Sequence, residues 1–192
     1  MPKKASKPKA RRKSNKGSPF ERDIARKLSL WLSSGVADDW FWRTAGSGGR
    51  ATNRAKQGKA TANGGGDICG QTKEAQDLLN DFVIEAKRGY NTVTISDLLD
   101  IEGGGKMGEF IAQAKRSASL AGARHWAVFH RRDRRESLVF TNCLEFVESC
   151  ESHFECWPDP ETCFWVARLD DCLTPETRIR MLESLQPSQR GG

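Results

Sequence analysis

Apolar residues recur along this chain at two different intervals. Phe20, Ile24, Leu28, Trp31 and Leu32 repeat at helical spacing, which predicts an amphipathic helix over "SPFERDIARKLSLWLSSG". Ser18 stands where an N-cap is wanted, Pro19 at the first helical position, Glu21 where a capping box places its acid, and Gly35 can close the far end. Further on, "DWFWRT", "DICG" and "DFVIEAKRG" read as strands, with "TKEAQDLLN" between the last two as a turn or helix. Residues 106–121 form a moderately amphipathic helix that Gly122 ends. "RHWAVFHR" and "SLVFTN" are strands separated by the charged turn "RDRRE", "CFWVARL" is another, and a helix opened by Thr-Pro-Glu covers residues 174–185. A helix, three strands, a helix and further strands predict an α/β domain with a mixed β-sheet flanked by helices. There is no internal repeat.

Length and composition narrow this to one globular body. The 192 residues suffice for a single domain with a proper core, and six Trp and nine Phe need burial. Residues 1–16 read as a disordered basic tail, residues 17–192 as the domain, and the part from about 142 onward as a C-terminal extension without an assigned role. No apolar run approaches the length of a bilayer span, and no signal-like segment follows the basic N-terminus. The expectation is a soluble, cytoplasmic protein without a membrane partner, acting at a nucleoid or in a phage-infected cell.

Charge is distributed unevenly. Eight of the 31 Lys and Arg lie within "MPKKASKPKARRKSNK", which has no acid, and the rest nearly balance the 25 Asp and Glu. A second acid-free basic run carries Arg43, Arg50, Arg54, Lys56 and Lys59, whereas residues 145–172 hold eight acids against Arg168. That polarity suits a protein that meets a polyanion with one side, with DNA contact, localisation or simple solvation open for the tail. Six cysteines include Cys150 and Cys156 around His153, but the spacing makes no zinc knuckle, so reduced thiols in the core are expected.

Candidate chemistry sits in "GGGDICG" and "FVIEAKRG". On a strand Glu85 and Lys87 share one face, and if the two segments are neighbours Asp67 joins them. Two close carboxylates repel unless a cation lies between them, and hard oxygen donors suit Mg²⁺ or Mn²⁺. The three glycines before Asp67 leave room for a second backbone, which is expected to be the DNA phosphodiester.

Asp67 followed by Glu85-Ala86-Lys87 resembles the PD-(D/E)XK nuclease signature, with Gly66 in place of the motif's proline. The leading Glu21-Arg22 and "WRTAGSGG" make residues 18–121 similar to Holliday junction resolvases of archaeal type and their phage relatives. The resemblance implies a restriction-endonuclease-like fold, a homodimer and a Mg²⁺-dependent endonuclease acting on branched DNA, with no nucleotide cofactor. By it Asp67, Glu85 and Glu21 are metal-site acids, Lys87 activates water, and Arg22, Arg43 and Ser47 face phosphate or the site. Arg50, Arg54, Lys56 and Lys59 join them as DNA contacts, and Gln113 on the following helix faces the site. Ser117 stands where related processive exonucleases have tyrosine, and the stretch between Ser47 and Asp67 is longer than in the compact archaeal enzymes. A nicking or restriction-type duplex nuclease, or a non-catalytic DNA-binding accessory, are the other readings. Each residue also has a plainer explanation: Glu and Lys alternate on solvated strands, a capping box accounts for Glu21, and Trp31, Trp40 and Trp42 belong in a core.

Overall fold

A computed structural model describes residues 17–44, 65–100, 104–159 and 162–185. The basic tail and Ser47, Arg50, Arg54, Lys56 and Lys59 lie outside them. Helix α1 (Gly17–Leu32) buries Phe20, Ile24, Leu28, Trp31 and Leu32, the stripe its spacing predicts. The helix is already formed at Gly17, so Ser18 lies inside the first turn rather than capping it. At the other end Gly35, at φ +83°, turns its N–H back to the Leu30 carbonyl at 2.7 Å.

Strand β1 (Phe41–Arg43) pairs antiparallel with β2 (Ile68–Gly70), Arg43 opposite Ile68, as a two-stranded sheet of its own. Helix α2 (Lys73–Asp81), capped by the Thr72 hydroxyl, leads into β3 (Phe82–Arg88). After the short α3 (Asp97–Asp100), α4 (Gly105–Ala121) ends at Gly122 in the left-handed conformation, φ +72°, as expected. Then follow β4 (His125–Arg131), β5 (Ser137–Thr141), α5 (Leu144–Val147), β6 (Phe154–Asp159), β7 (Thr162–Arg168), α6 (Leu169–Cys172) and α7 (Pro175–Leu185).

The main sheet has the order β3-β4-β5-β7-β6, with β3 and β4 parallel and the remaining pairs antiparallel. This is a mixed sheet flanked by helices, consistent with a restriction-endonuclease-like α/β fold. Residues beyond 142 supply β6 and β7, which continue that sheet. Both faces of β3 are covered, as is usual for parallel strands. Phe82, Ile84 and Ala86 pack with α1 and with Phe129 and Phe146, while Val83 joins Met107, Phe110, Ile111 and Ala114 of α4. Trp31 anchors α1 to the start of α7 by donating its indole N–H to the Thr174 carbonyl at 2.8 Å. Trp31 and Trp40 join the core, but Trp42 does not: on β1 Phe41 points inward and Trp42 is 58% exposed. No helix among the described residues is long and apolar enough to cross a membrane.

Candidate active site

Glu85 and Lys87 share the face of β3 turned toward α4, where the strand's alternation puts them. Asp67 reaches them by a different route from strand pairing. It sits just before β2, and its N–H donates to the Ile84 carbonyl at 2.8 Å while its own carbonyl accepts from the Thr44 N–H at 2.8 Å. Its carboxylate then turns onto β3, where Oδ2 accepts the Ala86 N–H at 2.8 Å. Main chain and side chain together fix Asp67 to β3 with no ladder between β2 and β3.

The glycines explain how the segment comes so close. A Cβ on Gly66 would lie 2.2 Å from the Ile84 carbonyl oxygen, and one on Gly65 2.9 Å from the Ala121 Cβ. At Gly66 the second backbone is therefore β3 itself and at Gly65 the close neighbours are α4 and the Val83 side chain, so for these two glycines the expectation of DNA is corrected, while Gly64 lies outside the described residues. A proline ring at 66 would meet the same carbonyl, which accounts for glycine at that place in the motif.

Lys87 lies between the two acids, its Nζ 2.6 Å from Glu85 Oε2 and 3.6 Å from Asp67 Oδ2. Glu85 is 3% exposed and further held by α4: Gln113 Nε2 donates to Oε2 at 2.8 Å and the Ser117 hydroxyl to Oε1 at 3.0 Å. Positions 113 and 117 are one helical turn apart, so both side chains meet the same carboxylate. Burial pushes the Glu85 carboxyl pKa up and the Asp67 charge adds to this, against the pull of Lys87. For Lys87, burial works to lower the ammonium pKa, but the Glu85 and Asp67 charges outweigh it and the net direction is up. The cluster thus holds a cation in the slot between two acids. A hard divalent ion suits that donor set, and Asp67 Oδ1 makes no hydrogen bond among the described residues.

Glu21 Oε2 accepts from Arg43 Nε at 2.8 Å. Among the described residues its carboxylate is engaged by Arg43 and not by the Ser18 amide, which corrects the capping box expected between Ser18 and Glu21. Arg43 is thereby placed beside the Asp67 segment, because β1 pairs with β2. Arg22 is exposed on α1 and bonds to none of these groups. Beside Lys87 opens a hollow of about 390 Å³ that Tyr90, Lys106, Phe110, Gln113 and Arg116 also line. Of these, Tyr90, Lys106 and Arg116 are absent from the sequence reading, as is the part of Ser117. The signal for Ser117 was a polar pair, 113 and 117, interrupting the apolar stripe of α4.

All six cysteines are free, His153 Nδ1 meets the Cys150 carbonyl at 2.5 Å, and Cys150, His153 and Cys156 are not among the described groups whose ligand atoms converge. A different group, His125, Cys143 and Glu145, converges at the opposite end of β4 from Lys87.

The family described as "Phage putative PDDEXK endonuclease" matches residues 12–162. Neither the curated proteins nor the solved structures provide a match. That match spans most of the chain, and within it Asp67, Glu85 and Lys87 meet at one point: the chain belongs to the phage PD-(D/E)XK endonuclease family.

Proposed function

We propose that the protein is a Mg²⁺-dependent endodeoxyribonuclease that prefers branched DNA, with Mn²⁺ able to replace Mg²⁺, and works as a homodimer. The observation that carries the chemistry is the convergence of Asp67 and Glu85 on one slot with Lys87 between them. Asp67 and Glu85 would hold the ion, with Glu21 as a third acid approached from α1. A bound Mg²⁺ would supply charge for the phosphoryl oxygens and acidity for water. Lys87, kept as an ammonium by the two acids, orients the attacking water and balances charge on the scissile phosphate. Gln113 and Ser117 hold the Glu85 carboxylate in one orientation.

The preference for branches and the dimer rest on the likeness of Glu21-Arg22 and "WRTAGSGG" to the junction resolvases. The test is incubation of the full chain with a labelled four-way junction, a linear duplex and a single strand, each with Mg²⁺, Mn²⁺ or EDTA, alongside light scattering. Metal-dependent cleavage favouring the junction, by a protein of twice the chain mass, is the expected result. Equal cleavage of the duplex would replace branch selectivity by nicking or restriction-type action. Absence of cleavage on every DNA would leave only a non-catalytic binding role.

A further inference from the structure

The turn joining β4 to β5 reads Arg131-Arg132-Asp133-Arg134-Arg135-Glu136. Because β3 and β4 are parallel, with Lys87 level with His130, this turn emerges at the same end of the sheet as the catalytic lysine. His130 faces α4, its ring 6.3 Å from that of Phe110, so Arg132, two residues on, leaves the strand on the face that carries Lys87. At ~3.3 Å per residue the arginines begin within about 10 Å of Lys87, roughly three successive phosphates along the axis of one DNA strand at about 3.4 Å each.

Their charges are only partly used. Arg131 points to the other face and pairs with Asp23 at 3.4 Å, and Glu136 is taken by Arg168 at 3.2 Å. Arg132, Arg134 and Arg135 form no ion pair among the described residues, and with His130, Glu136 and Leu138 they line one hollow of about 380 Å³. The turn is also braced. Asp133 N–H donates to Asn91 Oδ1 at 2.8 Å, Asn91 Nδ2 returns a bond to Asp133 Oδ2 at 3.0 Å, and Arg131 Nε donates to the Arg135 carbonyl at 3.2 Å. Asn91 belongs to the segment that follows the catalytic strand. Three like charges held close together on a braced turn repel one another, and a polyanion relieves that repulsion.

We infer that the hollow lined by Arg132, Arg134 and Arg135 is a second phosphate-binding site, which grips the DNA backbone a few phosphates from the one being cut. It rests on the DNA-endonuclease reading and adds a contact surface outside the D…E-x-K cluster. Phosphate contacts of this kind fix the register of the duplex without reading its sequence.

The test is the salt dependence of binding to a labelled duplex of about 30 base pairs in EDTA, which prevents turnover. Each phosphate contact contributes about −0.9 to the slope of log K against log salt. Replacing Arg134 and Arg135 together by Ala should therefore reduce the magnitude of the slope by about 1.8, and Arg135→Ala alone by about 0.9. The Arg134→Lys/Arg135→Lys variant keeps the charge and should restore most of the slope. Arg178→Ala on α7 should bind like the parent. A parent-like slope in a folded Arg134→Ala/Arg135→Ala protein or in Arg135→Ala would overturn the site while leaving the nuclease reading intact. A parent protein that neither binds nor cuts any DNA would overturn both.

Discussion

Gly66 lies so close against Ile84 that any side chain at residue 66 would start 2.2 Å from the Ile84 carbonyl oxygen. The next residue is Asp67, whose N–H bonds to that same carbonyl. Gly66→Ala must push the Asp67 segment off β3, since the obstacle is backbone. Overpacking of this sort costs about 1–3 kcal/mol. Thermal unfolding should show that loss, and cleavage should fall further than stability does because the displaced carboxylate leaves the slot beside Lys87. Normal turnover by a destabilised variant would show that Asp67 tolerates displacement.

Asp67→Asn and Glu85→Gln should abolish cleavage and leave DNA binding unchanged or tighter. Both replacements keep shape, and an asparagine oxygen can still accept the Ala86 N–H, so folding should survive. In the proposed site each removes a negative charge facing phosphate as well as a metal donor. Cleavage assays paired with binding in EDTA check this; retained cleavage by both variants would refute the site.

Gln113→Ala and Ser117→Ala act through Glu85. Groups that orient a metal ligand typically contribute 10–100-fold to metal affinity or activity. Each variant should therefore need more Mg²⁺ for half-maximal rate, within roughly that range, with a smaller loss at saturating Mg²⁺. A Mg²⁺ titration separates this from a general loss of folding, which added metal would not repair.

Glu21→Gln divides two roles. As a partner of Arg43 in a partly exposed ion pair, Glu21 contributes about 0.2–1 kcal/mol. As a third metal acid it would be needed for rate. A large fall in cleavage with a thermal midpoint close to the parent's is the expected outcome, and near-parental turnover would confine Glu21 to the ion pair.

Acid should weaken the fold through two histidines. Burial lowers the pKa of His130, with the Arg132 charge adding and a hydrogen bond to the Tyr90 backbone opposing, and burial lowers that of His125 against the Asp81 and Glu145 charges. His130 Nε2 and His125 Nδ1 are buried without a hydrogen-bond partner. Below the ordinary histidine value of 6.5 the unfolded chain binds protons that the folded one refuses, so their contribution is intact above pH 6.5 and lost as pH falls through the lowered values. Melting temperatures from pH 7.5 downward should fall, and His130→Phe, which keeps the aromatic contact with Phe110, should flatten the decline. A parental slope in that variant would remove His130 as a cause.

The periodic elements were legible because burial and period coincide in them: α1, α4, β3 and β4 stand where their apolar spacing put them. Strand β6 was not, since "FECWPD" lacks alternation; it lies at the sheet edge, where a proline is tolerated. In the site, Asp67, Glu85 and Lys87 were readable as chemistry, but the partner of the glycine run was not. Bare backbone signals a close neighbour without naming it, and only the fold identifies Ile84. Glu21 shows the same limit, because one spacing serves a capping box, an ion pair with Arg43 and a metal site alike. Trp42 was misjudged because a three-residue strand has too few positions to show which face is inside.

The pairing of β1 with β2 bears on how firmly Asp67 is held. Arg43 and Ile68 are register partners, and the Thr44 N–H holds the Asp67 carbonyl, so the chain between them leaves and returns at one fixed doorway. Lengthening a segment clamped at both ends adds closure entropy only logarithmically, about 0.6 kcal/mol for each doubling. The Thr44–Asp67 hydrogen bond and the bonds of Asp67 to β3 thus hold Asp67 beside Lys87 from described residues alone. The position of one carboxylate is in this way made independent of chain length elsewhere.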